Sequence, residues 1–134
     1  MYTYLRLTIA ALIAATFSLS YSASVDAVTT SIARFAYVPN FSDNTVSQYS
    51  VNMTTGQLRT NSNVATGMGP ISVAVDPTGK FAYVANGKSD TISAYTINPR
   101  TGVLTNVGTT KVAGSGVHAI TIDPSGKFVY IACD

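Results

Sequence analysis

The chain repeats itself. Phe35-Ala36-Tyr37-Val38 returns as Phe81-Ala82-Tyr83-Val84 and again, loosely, as Phe128-Val129-Tyr130-Ile131, at spacings of 46 and 47 residues. Around these cores Thr45, Ser47, Tyr49, Asn52, Thr55, Gly56 and Leu58 recur 46 residues later as Thr91, Ser93, Tyr95, Asn98, Thr101, Gly102 and Leu104. A one-residue insertion then moves the offset to 47, so that Gly67, Gly69, Asp76-Pro77 and Gly79-Lys80 match Gly114, Gly116, Asp123-Pro124 and Gly126-Lys127. A period in the forties with several short strands per repeat is the pattern of radial β-propeller blades, each of which buries its faces only against its neighbours. A few such repeats cannot close a ring, so the chain reads as the opening portion of a larger protein.

Each period divides into four short strands separated by turn chemistry. Residues 71–75 and 118–122 alternate large apolar side chains with Ser, Ala or Thr, as strands do whose successive side chains point to opposite faces. In the turns Asp76-Pro77-Thr78-Gly79 and Asp123-Pro124-Ser125-Gly126 the Asp accepts local backbone hydrogen bonds, Pro presets φ, and Gly permits the positive φ that closes the hairpin. Second strands are expected at 81–85 and 128–132, with 35–39 as their counterpart. Third strands are expected at 45–51 and 91–97, where β-branched and aromatic residues suit a pleated surface. Asn98-Pro99-Arg100-Thr101-Gly102 turns the chain into a fourth strand near 103–107. The expectation is an all-β fold: three strands of blade one (34–68), four of blade two (69–115) and two of blade three (116–134), about two and a half blades of an expected seven. Propellers close by taking strands of one blade from both chain ends, which removes an exposed sheet edge. The first strand of blade one is accordingly expected from a C-terminal segment beyond Asp134.

Composition supports this reading and excludes others. Hydrophobic residues make up 46% of the chain and charged residues only 10%, which suits sheets buried on both faces. All six acidic residues are Asp, a residue of turns rather than helix interiors. A net charge of +2 provides no basic field for a phosphate backbone, so nucleic acid is not an expected partner. At the N-terminus Arg6 precedes the uncharged run Leu7 to Phe17, followed by small residues, which reads as a secretory signal peptide over 1–27 with cleavage after Ser22, Ser24 or Ala27, and a short linker over 28–33. The run is too short for a stable membrane span. The expected location is secreted or periplasmic, and the single Cys133 leaves the domain to rest on its core rather than on a disulfide.

Few residues carry chemistry. Asp76 and Asp123 are accounted for by turn formation, Tyr37, Tyr83 and Tyr130 by packing between blades with the hydroxyl hydrogen-bonded, and Asn40 and Asn86 by amides that satisfy loop backbone. Cys133 reads as a small buried side chain. One His and scattered Asp residues make no metal-ligand set, no phosphate-cradling glycine loop leads into a helix, and no cofactor is expected.

Over residues 34–134 the phrases Gly69-Pro70-Ile71-Ser72-Val73-Ala74-Val75-Asp76-Pro77-Thr78-Gly79-Lys80-Phe81-Ala82-Tyr83-Val84-Ala85-Asn86 and Ser89-Asp90-Thr91-Ile92-Ser93-Ala94-Tyr95 resemble the repeats of the seven-bladed lactonase-type propellers, the group that includes 6-phosphogluconolactonase, and the related YVTN-type repeats. In that family a His opens an innermost strand of an early blade, in the form Gly-x-His-Ser/Ala before a Pro-containing hairpin, and faces the top of the central channel. Gly116-Val117-His118-Ala119 followed by Asp123-Pro124 matches this form, and the resemblance implies a catalytic role for His118 alone. Blade two has Ile71 at the equivalent place. An imidazole could activate water or polarise a lactone carbonyl. Two functions follow as expectations: an exported hydrolase of a lactone or sugar-derived ligand, or a noncatalytic exported propeller that binds a protein, glycan or cell-envelope partner.

Overall fold

The computed structural model describes residues 34–112 and 114–134. The expected signal peptide and linker lie outside the described residues. Nine strands follow in order: β1 (Phe35–Asn40), β2 (Thr45–Val51), β3 (Leu58–Ala65), β4 (Pro70–Val75), β5 (Phe81–Asn86), β6 (Thr91–Ile97), β7 (Leu104–Lys111), β8 (Ala119–Ile122) and β9 (Val129–Ala132). They form three antiparallel meanders, β1-β2-β3, β4-β5-β6-β7 and β8-β9. This is the three, four and two strand count that the repeat implies. Among the described residues no helix is long and apolar enough to cross a membrane.

The repeat is reproduced down to its irregularities. The register slips between Gln48 and Tyr49 in the first sheet and between Ala94 and Tyr95, 46 residues on, in the second. The Asp-Pro hairpins close as their residue types dictate. Gly79 and Gly126 lie at φ 68° and 72°, while Asp76 accepts the amides of Thr78, Lys80 and Phe81 at 3.0, 2.8 and 2.7 Å and the Thr78 hydroxyl. Asp123 repeats this with Ser125 and Phe128.

Two strands run beyond what the apolar pattern suggests. β7 extends to Lys111 rather than ending near 107, and β3 has almost no apolar alternation, because both are outer strands with largely exposed faces. There the ladder to β6 or β2 holds the conformation: Ser93 Oγ and Thr109 Oγ1 lie 3.1 Å apart across β6 and β7. Pro39 falls in β1, an edge of its sheet, where a residue without an N–H is tolerated.

Packing between sheets makes two cores. The first joins sheets one and two through Val46, Ala82, Val84, Tyr95, Ile97 and Leu104, flanked by Tyr37, Val64 and Val73; the second joins sheets two and three through Ala85, Ile92, Val117 and Ile120. Full burial of side chains such as Val46, Val84 and Tyr95 is worth about 2 kcal/mol each in transfer free energy. Polar staples fix the relative position of the sheets. Tyr95 Oη donates to Ala65 O (2.8 Å), the buried Gln48 Oε1 accepts the Leu104 amide (2.8 Å), and Tyr37 Oη donates to Gly102 O (2.7 Å). Burial pushes the Tyr37 phenol up to about 12.

Three expectations require correction. Asn40 and Asn86 reach across the hairpin to hydroxyls rather than to loop backbone: Asn86 Nδ2 donates to Thr91 Oγ1 (3.1 Å) and Ser93 Oγ (3.0 Å), and Asn40 does the same to Thr45 and Ser47. The register explains this, since Asn40 stands opposite Thr45 and Ser47 shares that face. Cys133 is exposed, not buried, among the described residues, where no strand pairs with the outer edge of β9. Tyr130, on the same strand, is likewise exposed among the described residues, whereas Tyr37 and Tyr83 pack between sheets.

Candidate functional site

One end of the sheets gathers the turns that follow β1 and β5, the end of β9 and the connections that lead into β4 and β8. These segments are clasped to one another. Asn44 and Asp90 occupy the same repeat position, both in the left-handed region at φ 54° and 50°, a conformation that Asn and Asp tolerate better than most residues. Asn44 Oδ1 accepts the Gly69 amide at 2.8 Å; Asp90 Oδ1 accepts the amides of Gly116 at 2.9 Å and Val117 at 3.4 Å. Each turn thereby sets where the innermost strand of the next sheet begins.

His118 stands at such a beginning. In the second sheet the β4–β5 register passes from Pro70↔Asn86 to Ser72↔Ala85, which leaves Ile71 as an extra residue. In the third, Ala119 pairs with Ala132 while His118 N also donates to Ala132 O at 2.9 Å. His118, the residue just before β8, takes the repeat position of Ile71, where the second sheet carries its irregularity. Its side chain is 59% exposed, and Nε2 lies 2.8 Å from Oδ1 of Asp134, itself 78% exposed.

Of the residues singled out by sequence, His118 therefore lies on an open end of the fold, against Asp134 and just outside the β8–β9 ladder. Asp76 and Asp123 lie in the hairpins that join β4 to β5 and β8 to β9, at the opposite end of those strands, and serve the turns alone. Burial acts to raise the Asp76 carboxyl, but the Thr78 hydroxyl and the three backbone amides outweigh it and hold the group below its ordinary range. At Asp123 the Ser125 hydroxyl and the Phe128 amide do the same. A shallow hollow of about 460 Å³ lined by Ser50, Val51, Asn52, Gln57, Leu58 and Arg59 sits at the β2–β3 hairpin and brings no acid or base together. Among the described residues no group of three or more His, Cys, Asp or Glu could hold a metal ion.

Sequence reasoning did not find the Asn44 and Asp90 clasps or the contact of Asp134 with His118. The first was signalled by two Asx residues 46 apart, just before Thr45 and Thr91. The second was signalled by the repeat, because Asp134 replaces Gly87 in the same blade in which His118 replaces Ile71.

Antiparallel meanders of one period, four-stranded where complete, packed face to face and clasped at one end, define a β-propeller. The family model for lactonase, 7-bladed beta-propeller, matches residues 6–120, and the chain belongs to that family. Among solved structures, a candidate 6-phosphogluconolactonase from Bacteroides fragilis is similar at 28% identity over 75% of this chain and 29% of that one, with a TM-score of 0.68. A second candidate 6-phosphogluconolactonase, from Bacteroides uniformis, is also 28% identical, over 75% of this chain and 30% of that one, with a TM-score of 0.69. The hydrazine synthase of Kuenenia stuttgartiensis is 29% identical over 76% of this chain and 26% of that one, with a TM-score of 0.61. The chain thus spans less than a third of the length of these structures. A search of the curated proteins finds no match.

Proposed function

We propose that this chain contributes the histidine-bearing part of an exported lactone hydrolase. The observation that carries this reading is His118: the chain's one histidine takes the repeat position of the aliphatic Ile71, exposed at the start of an innermost strand, in a protein of the lactonase family. In a closed ring the starts of the innermost strands surround the channel. There the imidazole takes a proton from a water whose oxygen adds to the lactone carbonyl. The tetrahedral intermediate collapses with cleavage of the ring C–O bond, and the proton passes to the departing alkoxide, so that lactone and water give a hydroxy acid and the protein is unchanged.

The N-terminal segment carries the export part of the proposal, and export argues for an unphosphorylated lactone, because phosphorylated sugar intermediates stay in the cytoplasm. N-terminal sequencing of the mature protein checks the first point. For the chemistry, His118→Ala is expected to lower kcat/KM on the lactone best hydrolysed by about 10²-fold, while Ile71→Val, at the same repeat position in the preceding blade, leaves it unchanged. Absence of hydrolysis across a panel of sugar and aliphatic lactones, or equal activity of His118→Ala and the parent, leads instead to the noncatalytic propeller that binds a protein or glycan.

A further inference from the structure

Two repeat positions change together in the third blade. Ile71 and Gly87 of the second blade become His118 and Asp134, each 47 residues on. In the second blade the pair is apolar and close: a Cβ added to Gly87 would lie 3.1 Å from Ile71 Cδ1. In the third, the same juxtaposition places an imidazole against a carboxylate at 2.8 Å.

The backbone holds both partners. His118 N donates to Ala132 O at 2.9 Å, and Asp134 N donates to Gly116 O at 3.3 Å. Gly116, at φ 65°, leaves the space that the carboxylate uses, for a Cβ there would come within 2.8 Å of Asp134 Oδ2. Asp90 in turn fixes Gly116 and Val117 through their amides. A carboxylate only accepts hydrogen bonds, so the contact requires the proton on Nε2. Nδ1 has no hydrogen-bond partner among the described residues.

We propose that Asp134 is a positioning residue for His118: its carboxylate accepts the Nε2 proton, selects that tautomer and leaves the Nδ1 lone pair as the base. The assignment of Nδ1 to the attacking water rests on the lactonase reading above; the pairing itself does not.

Because His118 is the only histidine, a chain labelled with ¹⁵N-histidine carries a single imidazole. Magic-angle-spinning ¹⁵N spectra of the neutral ring distinguish the protonated from the bare nitrogen even if the protein associates. The Nε2–H form is expected to dominate in the parent, and Asp134→Ala to lower the ratio of Nε2–H to Nδ1–H by about threefold, the scale of an exposed ion pair. Asp134→Glu should recover part of that change. In a hydrolysing preparation, Asp134→Ala should lower kcat with KM held. An unchanged tautomer ratio in Asp134→Ala overturns the proposal, whether or not lactones are hydrolysed. The expected ratio change in a protein that hydrolyses no lactone supports the pairing and removes only the lactonase reading.

Discussion

A single carboxylate organises each Asp-Pro hairpin. Asp76 is buried, yet its pKa is lowered, because burial is outweighed by one hydroxyl and three amides that favour the charged form. The sign of the linkage follows from that direction. A carboxyl whose folded pKa lies below its unfolded value contributes stability above the unfolded pKa, near 3.9 for Asp, and loses it as pH falls through the folded value. Denaturant melts should therefore show the folded state weakening below about pH 4. In Asp76→Asn, which replaces one acceptor oxygen by a donor facing amide hydrogens, the acid dependence should shrink and stability at neutral pH fall by about 1–3 kcal/mol. An Asp76→Asn protein with unaltered acid dependence would remove this carboxylate from the account.

At the scale of elements, what matters is how one strand's start is fixed by the preceding sheet. The turn after β5 carries Asp90 at φ 50° and holds Gly116 and Val117, directly before His118. Asp90→Ala strands two amides, and Asp90→Gly also relieves the backbone strain of the left-handed conformation. Both variants should loosen the His118 segment, seen as faster amide exchange at Gly116 and Val117, with a stability loss of about 1–2 kcal/mol for the alanine variant. Asn44→Ala should act on Gly69 alone and leave His118 untouched. Equal protection at Gly116 in the parent and in Asp90→Ala would show that the clasp does not set the strand start.

Across the described residues as a whole, the third sheet is the most exposed. Phe128 and Tyr130 are 59% and 58% exposed, and Val129 and Ile131 are also open to solvent, on a strand with no partner along its outer edge among the described residues. Unpaired edges with apolar faces recruit other strands, and repeat arrays gain stability by stacking. Sedimentation of residues 34–134 should therefore show concentration-dependent association that is reduced by Ile131→Lys. A monomer that unfolds cooperatively and reversibly would contradict this.

The sequence by itself determined the strand count, the sheet type, the hairpins and the family, because those features are written in short-range chemistry. An Asp bonds amides two to five residues ahead, a Gly closes the turn, alternation sets the faces, and the repeat compares each blade with the next. It also placed His118 at the start of an innermost strand. The tertiary structure decided what depends on register between distant residues. Asp134 meets His118 because the antiparallel β8–β9 pairing sets the start of one strand beside the end of the other, and Asp90 reaches Gly116 across 26 residues. Cys133 and Tyr130 are open rather than packed because burial belongs to what lies alongside a strand, and a strand's own pattern does not say what that is.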